Sequence, residues 1–313
     1  MAAKLQATFT SWLKTNHVTG GEIAIDRNGP VWQSAIGTAN GATNAATTTP
    51  DIWSVTKTFT AALVWQAVDK GQINIDAPIP ALSAVASFPY AGKITYRQLL
   101  AHRSGLADYH NTPAYTKDPN SIDSPAKALA DVATQPLHFT PGTKTEYTST
   151  NYLVLGALLE QVTGKTYDSL LTDLEHSAGL GDITHDAPWP GHPDFSTAGL
   201  RPTMAQLAAW GTALLGQNKA GLAAADLTAM MALDPDSSVG QGLWGYCPCT
   251  IDAKGAHHWT ALGHGGASTQ LEYAPADHLS IAVNIDDSIY APDNRQDNLN
   301  KLFIDLRAIV DAA

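Results

Sequence analysis

The chain has 313 residues, of which 44% are hydrophobic and 15% charged, which suits one or two globular domains and excludes a disordered chain. Its net charge of −11 and the lack of a Lys/Arg cluster argue against nucleic acid as a partner. No apolar run approaches the roughly 20 residues that a membrane-spanning helix needs, so no membrane span is predicted.

The first residues, MAAKLQATFTSWLK, lack a basic region followed by an apolar one, so no signal peptide is predicted within this sequence. We expect an exported protein whose signal has been removed, with a cytoplasmic location as the alternative. Cys247 and Cys249 form a Cys-Pro-Cys pair, across which a bridge would be strained, and no other cysteine is present to complete a zinc site. We therefore expect two free thiols or a strained bridge, and no metal.

The predicted elements begin with an amphipathic helix at 4–16 and two strands around Asn28-Gly29, a dipeptide that favours tight hairpin turns. A helix is predicted from Ser54 to Lys70, with Gly71 as its stop. Further helices are predicted at 95–103, 124–134, 151–163 and 203–217. Strands are predicted at 241–247, 259–264, 267–274 and 279–286, followed by an amphipathic helix at 293–311.

This order of elements places strands at both ends of the sequence and helices between them. It predicts an α/β (α+β) fold in which one antiparallel sheet is built from both chain ends and flanked by helices, with an all-helical subdomain inserted. We expect an α/β subdomain formed by 1–75 and 218–313 and a mainly helical subdomain formed by 76–217, which together make one domain. A functional site would lie in the cleft between them.

Ser54 and Lys57 stand three residues apart at the start of a predicted helix, which places both side chains on one helix face. A serine hydroxyl is a poor nucleophile unless a base takes its proton, and a lysine in a desolvated cleft can be that base. The same spacing occurs at Ser11–Lys14 and Ser124–Lys127. There, a surface lysine and a helix-start or surface serine is the simpler interpretation.

Tyr147 and Ser149 precede the helix predicted at 151–163. A tyrosine phenol can pass a proton between a nucleophile, a lysine and a leaving group, whereas a packed structural tyrosine is the alternative interpretation. Ser149 could hydrogen-bond the lysine or a substrate amide. Tyr109-His110-Asn111 fits a Tyr-x-Asn pattern by letter, but it follows HRSGLAD in a predicted loop, so it is rejected.

His264, Gly265 and Gly266 lie between a short apolar run and the strand-like ASTQLEY. Glycines at a strand edge let a substrate lie against the backbone, and the histidine could orient a carboxylate or assist proton transfer. The amide of Ala267 could pair with the amide of Ser54 as an oxyanion hole. A glycine-rich hairpin with a surface histidine is the alternative interpretation.

These three motifs are far more specific together than singly, and the blocks around them carry a family resemblance. The blocks are WSVTKTFTAALVWQAVDKGQINIDAPI around Ser54, ITYRQLLAHRSGLADY at 94–109, PGTKTEYTSTNYLVLGALLEQVTG at 141–164, STAGLRPTMAQLAAWGTALL at 196–215 and LGHGGASTQLEY at 262–273. The chain resembles the serine penicillin-binding proteins and class C β-lactamases, a group that includes DD-carboxypeptidases, D-aminopeptidases and β-lactamase-like esterases. Other classes of these enzymes carry related signatures.

The resemblance implies a β-lactamase/transpeptidase-like fold and one catalytic domain. Ser54 would be the acylated nucleophile, Lys57 its base and Tyr147 the proton relay, with His264 at the third motif. Ser149, Gly265 and Gly266 would bind substrate. The family usually carries Asn at the position of Ser149 and Thr at that of Gly265, so weaker recognition of amides and carboxylates is expected here.

The implied function is that of a serine hydrolase, and a D-Ala-D-Ala carboxypeptidase-like peptidase is the first expectation. A β-lactamase, a β-lactamase-like esterase or a D-aminopeptidase or amidase would use the same groups. The alternative of another class is a non-catalytic penicillin-binding sensor domain. We expect a small-molecule or peptide substrate and no cofactor, and the sequence leaves the oligomeric state open.

Overall fold

The computed structural model describes residues 1–39, 42–186, 195–234, 237–246, 250–251, 257–258, 260–290 and 295–313. Cys247 and Cys249, and the predictions made for them, lie outside the described residues. Its helices are α1 (Ala2–Thr15), α2 (Lys57–Asp69), α3 (Tyr96–Leu100), α4 (Pro113–Lys117), α5 (Pro125–Val132), α6 (Thr150–Thr163), α7 (Tyr167–Ala178), α8 (Phe195–Ala198), α9 (Met204–Gly211), α10 (Ala224–Met231) and α11 (Arg295–Asp311). Its strands are β1 (Gly21–Asp26), β2 (Pro30–Ile36), β3 (Thr38–Ala39), β4 (Ala42–Thr43), β5 (Thr184–His185), β6 (Leu200–Arg201), β7 (Trp244–Tyr246), β8 (Thr250–Ile251), β9 (His257–His258), β10 (Ala261–Gly265), β11 (Thr269–Ala274) and β12 (Leu279–Ile285).

Six strands form one antiparallel sheet in the order β2-β1-β12-β11-β10-β7. β1 pairs with β12 from Gly21↔Ile285 to Asp26↔Ser280, so the two ends of the sequence meet in the sheet. The β1–β2 hairpin turns at Asn28 and Gly29, whose φ angles of 55° and 148° are both positive, as an Asn-Gly turn requires. The predicted fold class is confirmed: both chain ends build one antiparallel sheet, and helices lie between them.

Both faces of the sheet are covered, because successive strand residues point to opposite sides and each side meets apolar helices. On one face Ile23, Ile281 and Val283 share a hydrophobic cluster with residues of α1 and α11. On the other face Ala24 and Ala282 belong to the larger cluster that includes the central helices. Because both faces of the sheet are buried, the central strands are apolar almost throughout.

The central helices gather around α2, which contacts α6, α7, α8 and α10. α9 instead contacts β1 and β12, and Gly211 permits this approach, since a Cβ there would lie 2.2 Å from the Ser280 hydroxyl oxygen. Phe59 of α2 stacks on Trp210 of α9 with ring centroids 4.1 Å apart, which joins the helical part to the sheet. The residue limits of the two expected subdomains stay a prediction.

Across the described ranges, no helix combines the length and the apolarity that crossing a bilayer requires.

Candidate active site

The segment that carries Ser54 is a tight 3₁₀ turn, Trp53–Thr56, which continues into α2 at Lys57. The sequence predicted a regular helix from Ser54, whereas the α-helix begins only at Lys57. Trp53, just before Ser54, has a φ of 50°, in the left-handed region that residues with a side chain rarely adopt. The segment is held close to the turn after β10. A Cβ on Gly266 would lie 2.6 Å from the Ile52 carbonyl oxygen, so only glycine fits there.

Three predicted groups meet around one oxygen atom. The Ser54 hydroxyl lies 2.6 Å from the Tyr147 hydroxyl, and the side-chain nitrogen of Lys57 donates to the Ser54 oxygen at 2.9 Å. Lys57 is fully buried, and its second acceptor is the carbonyl oxygen of Thr197 at 3.0 Å. No carboxylate pairs with Lys57 within the described part of the chain, so both of its hydrogen-bond acceptors are uncharged oxygens.

The other two Ser-x-x-Lys sequences have no such surroundings. The Ser124 hydroxyl caps α5 by accepting from the Lys127 backbone amide at 3.4 Å, and the Lys127 side chain donates to Asp123 at 2.5 Å in an exposed pair. Ser11 and Lys14 lie exposed on α1. Spacing alone therefore does not identify the site, whereas a buried lysine does.

Tyr147 is supported by His102, a residue to which the sequence analysis gave no role. The two rings lie 4.5 Å apart between centroids. Nδ1 of His102 accepts from the Thr148 amide at 3.3 Å and from Asn151 Nδ2 at 3.2 Å, and Asn151 in turn accepts from Ser104 at 2.6 Å. Burial, with Lys57 adding to it, holds the pKa of His102 well below its usual value. His102 is therefore neutral and fixes the ring position of Tyr147.

His264 lies on β10 with its ring 6.4 Å from that of Tyr147. Its Nδ1 donates to the Gly265 carbonyl oxygen at 2.8 Å, while Nε2 is buried and has no hydrogen-bond partner among the described residues. Burial lowers the pKa of His264 to about 3, and the charge of Lys57 adds to this effect. At neutral pH His264 is therefore an uncharged acceptor at Nε2 and supplies no positive charge.

Ser54 opens into a cavity of about 550 Å³. Its described walls are Ser54 and Tyr147, Trp244 to Tyr246 of β7, His264 to Ala267, Tyr290, and Gln296 and Asn300 of α11. The predicted residues Gly265, Gly266 and Ala267 thus share one cavity with Ser54, although their roles in substrate binding and in an oxyanion hole stay predictions. The aromatic residues of β7, Tyr290 and the two amides of α11 were not predicted, because none of them belongs to a motif.

Ser149 is the predicted site residue that the structure sets apart from this cavity. It is 7% exposed, its amide donates to Asp108 at 2.8 Å, and it is not among the described residues that line the cavity. The second acceptor of Lys57 is Thr197, from the segment before β6, in place of Ser149. Substrate binding by Ser149 stays a prediction.

The chain is similar in sequence to curated proteins and in fold to solved structures. Penicillin-binding protein 4 of Amycolatopsis lactamdurans is 32% identical over 177 residues, which are 55% of this chain and 45% of that protein. The chain thus spans less than half the length of the curated relatives it matches.

Two solved structures share the fold over nearly all of both chains. A D-amino acid amidase from Ochrobactrum anthropi SV3 has a TM-score of 0.77 at 20% identity and covers 99% of this chain and 100% of its own. A D-stereospecific amidohydrolase from Streptomyces sp. has a TM-score of 0.74 at 22% identity, with 95% and 98% covered. The family profile described as Beta-lactamase matches residues 5–305, a range that contains every group of the site described above. The chain therefore belongs to the beta-lactamase family of serine hydrolases.

Proposed function

We propose that this protein hydrolyses amide bonds next to D-amino acid residues through an acyl-enzyme formed on Ser54. The observation that carries the proposal is the hydroxyl of Ser54, which is in hydrogen-bond contact with both Lys57 and Tyr147 at the opening of a cavity. The names of the similar proteins support the substrate class, because they include a penicillin-binding protein, a D-amino acid amidase and a D-stereospecific amidohydrolase.

Acylation begins when Lys57 accepts the proton of Ser54, whose oxygen attacks the carbonyl carbon of the substrate. The carbonyl oxygen becomes negative, and the backbone amides of Ser54 and Ala267 are proposed to stabilise it. The tetrahedral intermediate collapses as the C–N bond breaks, and the leaving amine takes a proton through Tyr147. The Tyr147 hydroxyl lies 2.6 Å from the Ser54 oxygen, which places it beside the carbon that Ser54 attacks and near the nitrogen that leaves.

Deacylation repeats these steps with water in place of serine. Water gives a proton to the Tyr147–Lys57 pair and attacks the ester carbonyl, and the Ser54 oxygen regains a proton as it leaves. His264 takes no part as a charged group, because its pKa of about 3 keeps it neutral.

A D-Ala-D-Ala carboxypeptidase is the finer function expected first from the family resemblance. A D-amino acid amidase differs from it chiefly in the leaving group, and a β-lactamase or an esterase would use the same nucleophile. Turnover of a D-Ala-D-Ala peptide, a D-amino acid amide, a cephalosporin and a short-chain ester, measured side by side, would rank them.

The nucleophile is tested with a fluorophosphonate probe, which labels activated serines covalently. We expect the probe mass on the peptide that contains Ser54, with labelling lost in Ser54→Ala. Ser124→Ala is the matched control, because it removes the serine of an exposed Ser-x-x-Lys sequence, and it should label like the wild type. Labelling that persists in Ser54→Ala, or no labelling of the wild type, would refute the proposal.

A further inference from the structure

The space beside Gly265 is filled by two tyrosine hydroxyls. A Cβ built on Gly265 would lie 2.8 Å from the Tyr290 hydroxyl oxygen and 3.3 Å from that of Tyr246. Any side chain at 265 would therefore displace these phenols. Tyr246 lies on β7 and Tyr290 follows β12, so two separate segments bring a hydroxyl to the same point of the cavity.

Both hydroxyls are available to a ligand. Both tyrosines line the cavity, and Tyr290 is 61% exposed. Desolvation, together with the neighbouring Tyr147, raises the pKa of Tyr290 to about 12. Desolvation also raises the pKa of Tyr246 well above its usual value, with further contributions from Tyr290, Glu272 and Tyr147. Both phenols therefore keep their protons and are neutral hydrogen-bond donors.

Their position relative to Tyr147 indicates which part of a substrate they meet. The Tyr147 ring lies 6.1 Å from that of Trp244, which shares β7 with Tyr246, and 6.4 Å from that of His264, which precedes Gly265. In the proposed mechanism Tyr147 protonates the leaving amine. A leaving group attached to that amine would therefore extend towards Tyr246 and Tyr290.

The charges around this point are unfavourable for a carboxylate. Of the described residues that line the cavity, none is a lysine or an arginine, and His264 is neutral. A free carboxylate bound here would lose part of its hydration without a cation to pair with among the described lining residues. An uncharged carbonyl oxygen has no such cost and needs only an O–H donor.

We propose that the hydroxyls of Tyr246 and Tyr290 bind an uncharged carbonyl oxygen on the leaving group, so that the enzyme prefers leaving amines that carry an amide over those that carry a free carboxylate. This inference rests on the proposed function. The two phenols act as substrate-binding residues and take no part in the transfer of the Ser54 proton.

The test uses three substrates with one acyl group, N-acetyl-D-alanyl. The leaving groups are D-alaninamide, D-alanine, and 3-methyl-2-butylamine of the same configuration, which has a similar size and lacks the carbonyl. We expect kcat/KM to be at least about tenfold higher for D-alaninamide than for D-alanine. Tyr246→Phe and Tyr290→Phe should each lower kcat/KM for D-alaninamide by up to about tenfold, the effect of one lost hydrogen bond. The alkylamine substrate should be unaffected.

Tyr90→Phe is the control variant, because its hydroxyl donates to the Gln135 carbonyl and lies outside the cavity lining described above. It should leave all three rates unchanged. A preference for D-alanine, or equal losses with D-alaninamide and the alkylamine, would overturn the inference. So would a wild type that is labelled at Ser54 but cleaves none of the three amides. If Ser54 is not labelled at all, the proposed function itself fails, so the two failures are distinguishable.

Discussion

Glu272 makes the free energy of unfolding depend on pH, and one substitution should remove this contribution. It lies on β11, is 3% exposed, and accepts from Gln270 Nε2 at 2.5 Å. Burial raises the pKa of this carboxyl group from 4.5 to about 8, against the smaller opposing effects of Gln270 and Arg307. The folded protein therefore keeps a proton on Glu272 at neutral pH, whereas the unfolded chain has lost it.

The size of the effect follows from proton linkage. Between pH 4.5 and about 8 the folded state binds more protons at Glu272 than the unfolded state does, so stability falls as the pH rises. The slope is at most about 1.4 kcal/mol per pH unit. The lowered pKa values of His102 and His264 produce the opposite slope, which fades as the pH rises above their unfolded value of 6.5. A variant at Glu272 shares this effect with the wild type, so the difference between the two proteins from pH 6.5 to 8 is the contribution of Glu272, about 2 kcal/mol.

The assay is urea unfolding of the wild type and Glu272→Gln at several pH values from 6.5 to 8. Glutamine keeps the shape and cannot titrate, so we expect the variant to lose about 2 kcal/mol less over this range than the wild type does. Asp305→Asn is the control, since Asp305 is an exposed partner of Lys301 on α11 and should leave the slope unchanged. Equal slopes in wild type and Glu272→Gln would refute the proposed burial of a protonated carboxyl group.

Three further predictions concern the site. Lys57→Ala and Tyr147→Phe should each lower turnover by about 100-fold or more with an unchanged circular dichroism spectrum, and near-normal rates would contradict the proton route. His102→Ala should lower kcat by about tenfold with little change in KM, because the ring that fixes Tyr147 is lost, and an unchanged kcat would exclude this positioning role. Gly266→Ala should abolish fluorophosphonate labelling of Ser54 and destabilise the protein by about 1–3 kcal/mol, measurable by urea unfolding, and full labelling would contradict the close approach described above.

Local chemistry made much of the fold predictable. The Asn28-Gly29 turn predicted the first hairpin, and Gly164, with a φ of 69°, ends α6 where the sequence placed the stop. α7 was not predicted, although Thr166 caps its first turn and Gly179 ends it in the left-handed conformation. The signals at both ends were present, and Tyr167, Leu171, Leu174 and Ala178 form an apolar stripe at helical spacing, so the sequence did carry the evidence for this helix.

The site was predictable only where motifs mark it. Ser54, Lys57 and Tyr147 each belong to a short pattern that the chemistry requires, and they meet in space. His102 and Tyr290 belong to the surroundings, which depend on how distant segments pack. No local pattern shows that a histidine will lie under a tyrosine ring or that a phenol will fill the space beside a glycine.

The pairing of β1 with β12 has a consequence for how the protein is made. The nucleophile segment leaves the ribosome long before β10 and β12 are synthesised, and at about 5–20 residues per second it waits on the order of 10–40 s for them. During that interval α2, nearly all of whose residues are buried in the finished fold, has no sheet to cover it and is a natural client for chaperones. A nascent chain interrupted before β10 would carry Ser54 and Lys57 without the residues from His264 to Ala267 that line the cavity beside them.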